Sequence, residues 1–191
     1  MNAGETFDPS YETSPGWADK LYKVVDGKFV EPTPMGFYEG MVAFVLNQAI
    51  VVHFLKSRRT GRVVVEILFQ LFALPKRERR PDLAYVSYER WPRDRPFPAS
   101  AAWDVVPDLA VEVVSPGNTA IEIIVKLDDY FRAGVRRVWI IYPKQQIVQD
   151  YQSLRHAEML GIEDSLDGGE VIPGFSMNLS DLFNAEASTT P

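Results

Sequence analysis

The 191-residue sequence contains no cysteine and only two histidines, His53 and His156. Without cysteine, neither a disulfide framework nor a thiolate metal site is possible. Neither histidine has a second candidate ligand at a spacing typical of zinc sites. Both histidines are therefore interpreted as packing or surface residues, and zinc chemistry of the cysteine or histidine type is not expected.

Long apolar runs and an excess of positive charge are also missing. No segment approaches the ~18 consecutive apolar residues of a membrane span, and residues 1–16 lack the basic region and apolar core of a signal peptide. We therefore expect a soluble, cytoplasmic protein that does not act at a membrane. The net charge of −6 argues against nucleic-acid binding by bulk charge alone, although a localised basic surface stays compatible with it.

The composition is that of a globular protein, with 46% hydrophobic and 24% charged residues. A chain of this length is most simply one domain with a sizeable core. We predict a flexible tail at residues 1–15, a single domain over residues 16–185 and a second flexible tail at residues 186–191. Inside the domain, the Asp-Gly pair at 26–27 predicts a hairpin, residues 37–57 show helical periodicity, and residues 146–151 have the pattern of an edge strand.

The most informative stretch is residues 107–143, which reads PDLAVEVVSPGNTAIEIIVKLDDYFRAGVRRVWIIYP. Its pattern predicts a buried strand, a turn, an amphipathic helix and a second buried strand. Asn118 or Thr119 is suited to begin the helix, and Gly134 is suited to end it. This order of elements is typical of a crossover between two parallel strands.

Acidic residues occur at the start of two apolar strands, in the matching segments PDLA at 81–84 and PDLA at 107–110. Glu112 follows Asp108 on the same face of its strand, because successive strand residues alternate between faces. If the two strands are neighbours, Asp82 and Glu112 converge and can bind a hard divalent cation such as Mg²⁺. Lys126 on the following helix can reach Glu112 and assist hydrolysis. The alternatives are ordinary Pro-Asp turn chemistry and a solvated lysine.

At these residues the sequence resembles the Uma2 family of endonucleases, formerly the domain of unknown function DUF820, within the PD-(D/E)XK nuclease-like superfamily. The resemblance is carried by PDLAVEVVSP, the helix with its lysine, AGVRRVWIIYP, and upstream by VVDGKFVEPTPMG and RRPDLAYVS. It covers roughly residues 20 to 183. It implies an α/β (α+β) fold, a restriction-endonuclease-like mixed central sheet flanked by helices with an N-terminal hairpin. It also implies Mg²⁺ (or Mn²⁺) as cofactor and DNA as substrate.

The resemblance assigns the metal-binding and catalytic roles to Asp82, Glu112, Asp108 and Lys126. Asp82 is the preferred metal ligand, and Asp108 supports it or takes its place. Glu112 matches the acidic residue of the (D/E)XK element. Because the usual lysine position is Val114 here, Lys126 is the natural substitute.

Glu31 and Glu66 are further acidic candidates. The sequence departs from the family pattern in three places. Tyr142 and Glu122 stand where aspartate is common, and the stretch GFYE at 36–39 has no histidine where the family commonly has one. These differences leave room for a weakened or inactive site.

Three functions are compatible with these residues. The first is a Mg²⁺-dependent endonuclease that hydrolyses DNA phosphodiester bonds, as a possible homodimer because two symmetry-related sites suit cutting of both strands. The second is an inactive nuclease-fold module that binds DNA or a protein partner. The third is a metal-dependent hydrolase of small phosphorylated molecules. Phosphate contacts for the first are expected from the basic clusters Arg58, Arg59 and Arg62 or Lys76, Arg77, Arg79 and Arg80.

Overall fold

The computed structural model describes residues 23–25, 28–30, 36–57, 59–72 and 77–184. Both expected tails lie outside these residues, as does Glu31. The described elements are β1 (Lys23–Val25), β2 (Lys28–Val30), α1 (Phe37–Lys56), β3 (Gly61–Val65), β4 (Phe69–Phe72), β5 (Arg77–Arg79), β6 (Leu83–Ser87), β7 (Leu109–Val113), α2 (Ala120–Ala133), β8 (Arg137–Tyr142), β9 (Ile147–Ser153), β10 (His156–Leu160), β11 (Ser165–Asp167), β12 (Ser176–Asn178) and α3 (Leu179–Phe183).

A six-stranded mixed sheet in the order β10-β9-β8-β7-β6-β3 organises the described part of the chain. Strands β7 and β8 are parallel and are joined through α2, as the sequence predicts for residues 107–143. The other neighbouring pairs are antiparallel. The pairs β1-β2, β4-β5 and β11-β12 form three small two-stranded sheets, and β1-β2 is the N-terminal hairpin that the Asp-Gly pair predicts.

Two hydrophobic clusters cover the two faces of the central sheet, because alternate strand residues point to opposite sides. On one face, Leu46 and Ile50 of α1 pack with Leu109, Val111 and Trp139. On the other face, Leu127 and Tyr130 of α2 pack with Ala110, Val138 and Ile140. The strands β6 and β7 are buried along their whole length, which explains why their sequences are mostly apolar apart from Ser87 and Glu112.

Helix α1 is long and apolar enough to cross a membrane by length and composition alone. A single such helix is weak evidence, because a core helix passes the same test. Here α1 places Val42, Leu46, Ile50 and Phe54 in the hydrophobic cluster described above.

Helix α2 begins and ends where its sequence predicts. The hydroxyl of Thr119 accepts from the Glu122 backbone N–H at 3.2 Å, and the Glu122 carboxylate accepts from the Thr119 N–H at 2.7 Å. This reciprocal pair is a capping box. Gly134 ends the helix with φ 95°, a left-handed conformation that glycine adopts without strain.

One expectation about the sheet is wrong. Strand β9 is not an edge strand, because β10 pairs with its outer side and takes the edge position. Four of the five β10 residues are exposed, so β10 has no apolar pattern that reveals it.

Candidate active site

Asp82 and Glu112 come together through the pairing of β6 with β7. In this antiparallel pair Leu83 lies opposite Val111 and Ala84 opposite Ala110, so the next position in the register places Asp82 opposite Glu112. Opposed residues of an antiparallel pair share a face of the sheet and have Cβ atoms about 5 Å apart. That face is the one covered by α2, since Ala84 and Ala110 belong to the α2 cluster.

The Asp82 carboxylate also takes part in the sheet. Its Oδ2 accepts a hydrogen bond from the Val113 backbone N–H at 2.6 Å. Asp82 itself is only half-buried. One oxygen of Asp82 is therefore fixed by β7, while the side chain keeps contact with solvent, from which a cation would enter.

Helix α2 holds the Glu112 carboxylate with two side chains that lie one turn apart. Lys126 Nζ is 2.6 Å from Glu112 Oε2, and the Tyr130 hydroxyl donates to Glu112 Oε1 at 2.6 Å. Residues at i and i+4 of a helix lie on one face, which explains how both reach the same carboxylate. The predicted contact between Lys126 and Glu112 is therefore present.

Burial makes the electrostatics of this group strong. Glu112 is 4% exposed and Tyr130 is fully buried. Burial raises the pKa of Tyr130 well above its ordinary value of 10.0; the negative charge of Glu112 and its hydrogen bond raise it further, and Arg79 opposes the shift. The phenol consequently stays protonated at neutral pH and donates to Glu112, while the Lys126 ammonium balances the carboxylate charge.

Asp108 lies at the other end of β7, four residues from Glu112, which corresponds to about 13 Å along a strand. Its Oδ2 accepts from the Ser87 backbone N–H at 2.7 Å, and its Oδ1 is 3.0 Å from Arg90 Nε and 3.6 Å from Arg136 Nη1. The structure thus brings Asp82, Glu112 and Lys126 together and places Asp108 in a separate buried ion-pair group.

Glu66 lies beside this cluster through its backbone. Its N–H donates to the Asp82 carbonyl at 3.2 Å, and its φ of 48° is unusual for a residue other than glycine. Its side chain is exposed. Among the described residues no group of three or more aspartate, glutamate, histidine or cysteine side chains is arranged to hold a metal ion. The fit must therefore be judged on the pair Asp82 and Glu112.

This pair fits a hard cation that keeps much of its water shell. Mg²⁺ commonly binds through one or two carboxylates and retains several waters. A carboxylate has about four acceptor positions, so the bonds from Lys126 and Tyr130 to Glu112, and the bond from Val113 to Asp82, are compatible with a cation bound between the two carboxylates. The donor set suits Mg²⁺ or Mn²⁺ better than a cation that requires a full protein cage.

Most of the arginines expected to contact phosphate are engaged within the chain. Arg79 is buried and binds the Asp129 carboxylate, with Nε at 2.7 Å, and Arg77 Nε is 3.3 Å from the same carboxylate. Arg62 donates to the Trp91 carbonyl at 3.0 Å and stacks over Tyr88 and Phe97. Arg58 and Lys76 lie outside the described residues.

The contact of Tyr130 with Glu112 was not predicted from the sequence. The available signal was the spacing of Tyr130 from Lys126, because a residue four positions after a site residue shares its helix face. The paired Asp129 and Arg79 were likewise missed, since their contact joins segments 50 residues apart.

A mixed sheet with helices on both faces, and two carboxylates on neighbouring paired strands, agrees with the restriction-endonuclease-like fold that the resemblance implies. The chain belongs to the Uma2 family, described as "Putative restriction endonuclease", which matches residues 9–180. A solved structure described as "a putative nuclease belonging to DUF820" from Anabaena variabilis ATCC 29413 is similar, with a TM-score of 0.73 and 19% identity over 87% of this chain and 91% of that chain. At this identity the likeness concerns the fold. No curated protein matches the chain.

Proposed function

We propose that the protein is a Mg²⁺- or Mn²⁺-dependent endonuclease that hydrolyses DNA phosphodiester bonds. The observation that supports the proposal most directly is the meeting of Asp82, Glu112 and Lys126 at the β6-β7 pair, in a chain of the Uma2 family. Asp82 and Glu112 would hold the cation. Bound there, a divalent cation would lower the pKa of a water molecule and stabilise charge on the phosphate.

Lys126 has two roles in this proposal. Its ammonium neutralises the buried Glu112 carboxylate, which would otherwise be costly to keep ionised. Its side chain is 15% exposed, so the ammonium lies close enough to solvent to orient a water molecule or to stabilise a phosphate oxygen as negative charge develops. The proposal does not use Asp108 as a ligand, because its carboxylate contacts Ser87, Arg90 and Arg136.

The test compares the wild-type protein with Glu112→Gln, a change that removes the charge and keeps the shape. Mn²⁺ binding is measured by calorimetry, and cleavage of supercoiled plasmid is measured on the same samples. We expect Mn²⁺-dependent nicking by the wild type and a loss of both binding and nicking, by at least about 100-fold, in the variant. Glu163→Gln is the matched control, because Glu163 is exposed and lies outside the site.

Wild-type protein that binds no divalent cation in the presence of DNA would refute the enzymatic proposal. If Glu112→Gln cleaves plasmid as fast as the wild type, Glu112 is not part of the catalytic site, or the cleavage comes from a contaminating nuclease. An exposed control that loses activity would show that the assay is reporting general damage to the protein.

A second candidate is a nuclease-fold module with little or no catalysis that binds DNA or a protein partner. The internal engagement of Arg62 and Arg79 favours it, because these cations are not offered to a DNA backbone. DNA retention without cleavage would support this candidate. Cleavage of small phosphoesters but not of plasmid would support a hydrolase of small substrates.

We also propose a cytoplasmic location and a homodimer. Two copies related by a twofold axis present two equivalent sites, which suits cutting of both strands of a duplex.

A further inference from the structure

We propose that Tyr130 is a positioning residue that fixes the Glu112 carboxylate for cation binding. This inference rests on the proposed metal-dependent hydrolysis and adds a residue to it. Tyr130 does not reach the reacting atoms in this account. It acts through Glu112, by holding one of its two oxygens.

The contact has the geometry of a strong, directed hydrogen bond. The donor is a fully buried phenol, the acceptor is a buried carboxylate oxygen, and the distance is 2.6 Å. Bonds from a hydroxyl to an ionised carboxylate are short and about twice as strong as bonds between neutral groups. Lys126 holds the other oxygen from the same helix face. Two donors on two oxygens define the plane of the Glu112 carboxylate.

The helix that carries Tyr130 is itself anchored beside this contact. Asp129, the preceding residue, is buried and accepts from Arg79 Nε at 2.7 Å, with Arg77 Nε at 3.3 Å. These arginines belong to β5, whereas Glu112 belongs to β7. Strand β5 lies in the small β4-β5 sheet, so this ion pair ties α2 to a second sheet, while Leu127 and Tyr130 pack α2 on the central sheet. The orientation of Glu112 then follows from the position of α2.

Fixing the carboxylate matters because the site offers few protein ligands. Among the described residues the proposed ligands are Asp82 and Glu112, so a rotation of Glu112 would remove half of this donor set. Residues that orient a ligating carboxylate typically change metal affinity or activity by about 10- to 100-fold when they are removed. The alternative role for Tyr130 is simple core packing, in which the hydroxyl needs some partner and Glu112 supplies it.

Tyr130→Phe separates the two roles, because it removes one oxygen and keeps the buried ring. The measurements are the Mn²⁺ concentration for half-maximal plasmid cleavage, and kcat and KM for DNA. We expect the half-maximal Mn²⁺ concentration to rise by about 10- to 100-fold, kcat to fall at fixed Mn²⁺, and KM for DNA to change less than about twofold. Tyr85→Phe is the matched control, since Tyr85 is equally buried and its hydroxyl contacts Thr60 at 2.7 Å.

A packing role predicts a different result. Both variants would then lose thermal stability to a similar extent, and the Mn²⁺ dependence of both would match the wild type. That outcome overturns the inference and leaves the proposed function intact. Wild-type protein that neither binds Mn²⁺ nor cleaves DNA overturns the proposed function, and the inference falls with it.

A measurement on the unmodified protein covers the case in which Tyr130→Phe does not fold. The ¹³Cζ resonances of labelled tyrosines report on the hydrogen bond of each hydroxyl. On addition of Mg²⁺ we expect at least one tyrosine signal to shift, because the acceptor Glu112 gains a cation. Mg²⁺ binding that moves no tyrosine signal overturns the inference.

Discussion

Asp108 is a buried carboxylate that stabilises the fold, whereas the buried carboxylate of Glu112 belongs to the candidate site. It is 1% exposed, and its oxygens accept from the Ser87 backbone and contact the guanidinium groups of Arg90 and Arg136. Arg90 in turn donates to carbonyl oxygens of Val106, Pro107 and Gly134. Asp108 thereby joins the end of β6, the loop before β7 and the end of α2.

For Asp108→Asn we expect a loss of about 1.5–3 kcal/mol in the free energy of unfolding, since hydrogen bonds to a charged group have about this value. Urea denaturation measures this loss. Mn²⁺ affinity should stay within about twofold of the wild type, because Asp108 is distant from Glu112 along β7. Asp164→Asn is a useful comparison, since Asp164 is exposed and caps only a local turn through Gly161. Loss of Mn²⁺ binding in a folded Asp108→Asn protein would contradict this prediction and show that Asp108 is a metal ligand.

At the scale of elements, α2 carries Lys126 and Tyr130, and its first turn is fixed by the capping box of Thr119 and Glu122. We predict that Thr119→Ala lowers the free energy of unfolding by about 1 kcal/mol, because a helix N–H loses its acceptor. Thr119→Ser should recover most of this loss, since serine keeps the hydroxyl. Urea denaturation of the three proteins checks the prediction. Equal stability of the alanine and serine variants would show that the cap contributes little.

Local signals explain why α2 could be predicted from sequence so closely. Thr119, Glu122 and Gly134 act within a few residues of themselves, so their effects are readable in the sequence. The mostly apolar sequences of β7 and β8 are an equally direct signal, because they predict buried strands. The resemblance to the Uma2 family predicted the overall fold, and this prediction is confirmed by the mixed sheet and by the similar solved structure.

Elements whose stability comes from distant partners could not be predicted in this way. Strand β10 is mostly exposed and follows β9 after a tight turn, so β9 was misread as an edge. Strand β5 has the sequence of a charged cluster and was not predicted as a strand. The burial of Arg79 is explained only by its ion pair with Asp129 of α2, which is distant in sequence. The approach of Asp82 to Glu112 likewise depends on the pairing of β6 with β7. The sequence does not show which strands pair, so this approach could be predicted only on the assumption that the two strands are neighbours.

At the scale of the whole molecule, buried tyrosines predict a sensitivity to alkaline pH. Burial is the largest cause that raises the pKa of Tyr85, Tyr130 and Tyr142 above 10.0. In the unfolded chain these phenols release their protons near pH 10, whereas in the folded protein they retain them. Unfolding therefore releases protons above pH 10, and the free energy of unfolding should fall as pH rises from there. Below pH 10 this contribution is fully present.

Circular dichroism and phenolate absorbance near 295 nm, followed together against pH, check this expectation. Part of the phenolate signal should appear only as the native circular dichroism is lost. Tyr85→Phe should show a shallower decline in stability above pH 10, because one of the raised groups is gone. Complete tyrosine ionisation with native circular dichroism would contradict the prediction.

The hydrogen bond from the Val113 N–H to Asp82 affects which residues would be retained in relatives that lose activity. Replacing Asp82 by a residue without an acceptor would leave a backbone N–H of β7 without its partner, at a cost of about 1–3 kcal/mol. A descendant that had lost the proposed activity would still be under selection to fold, and that selection alone would preserve a hydrogen-bond acceptor at residue 82. Lys126 is held by selection of the same kind, because its ammonium neutralises the buried Glu112 carboxylate. Among relatives, these two residues should therefore mark retention of the fold and not, by themselves, retention of activity.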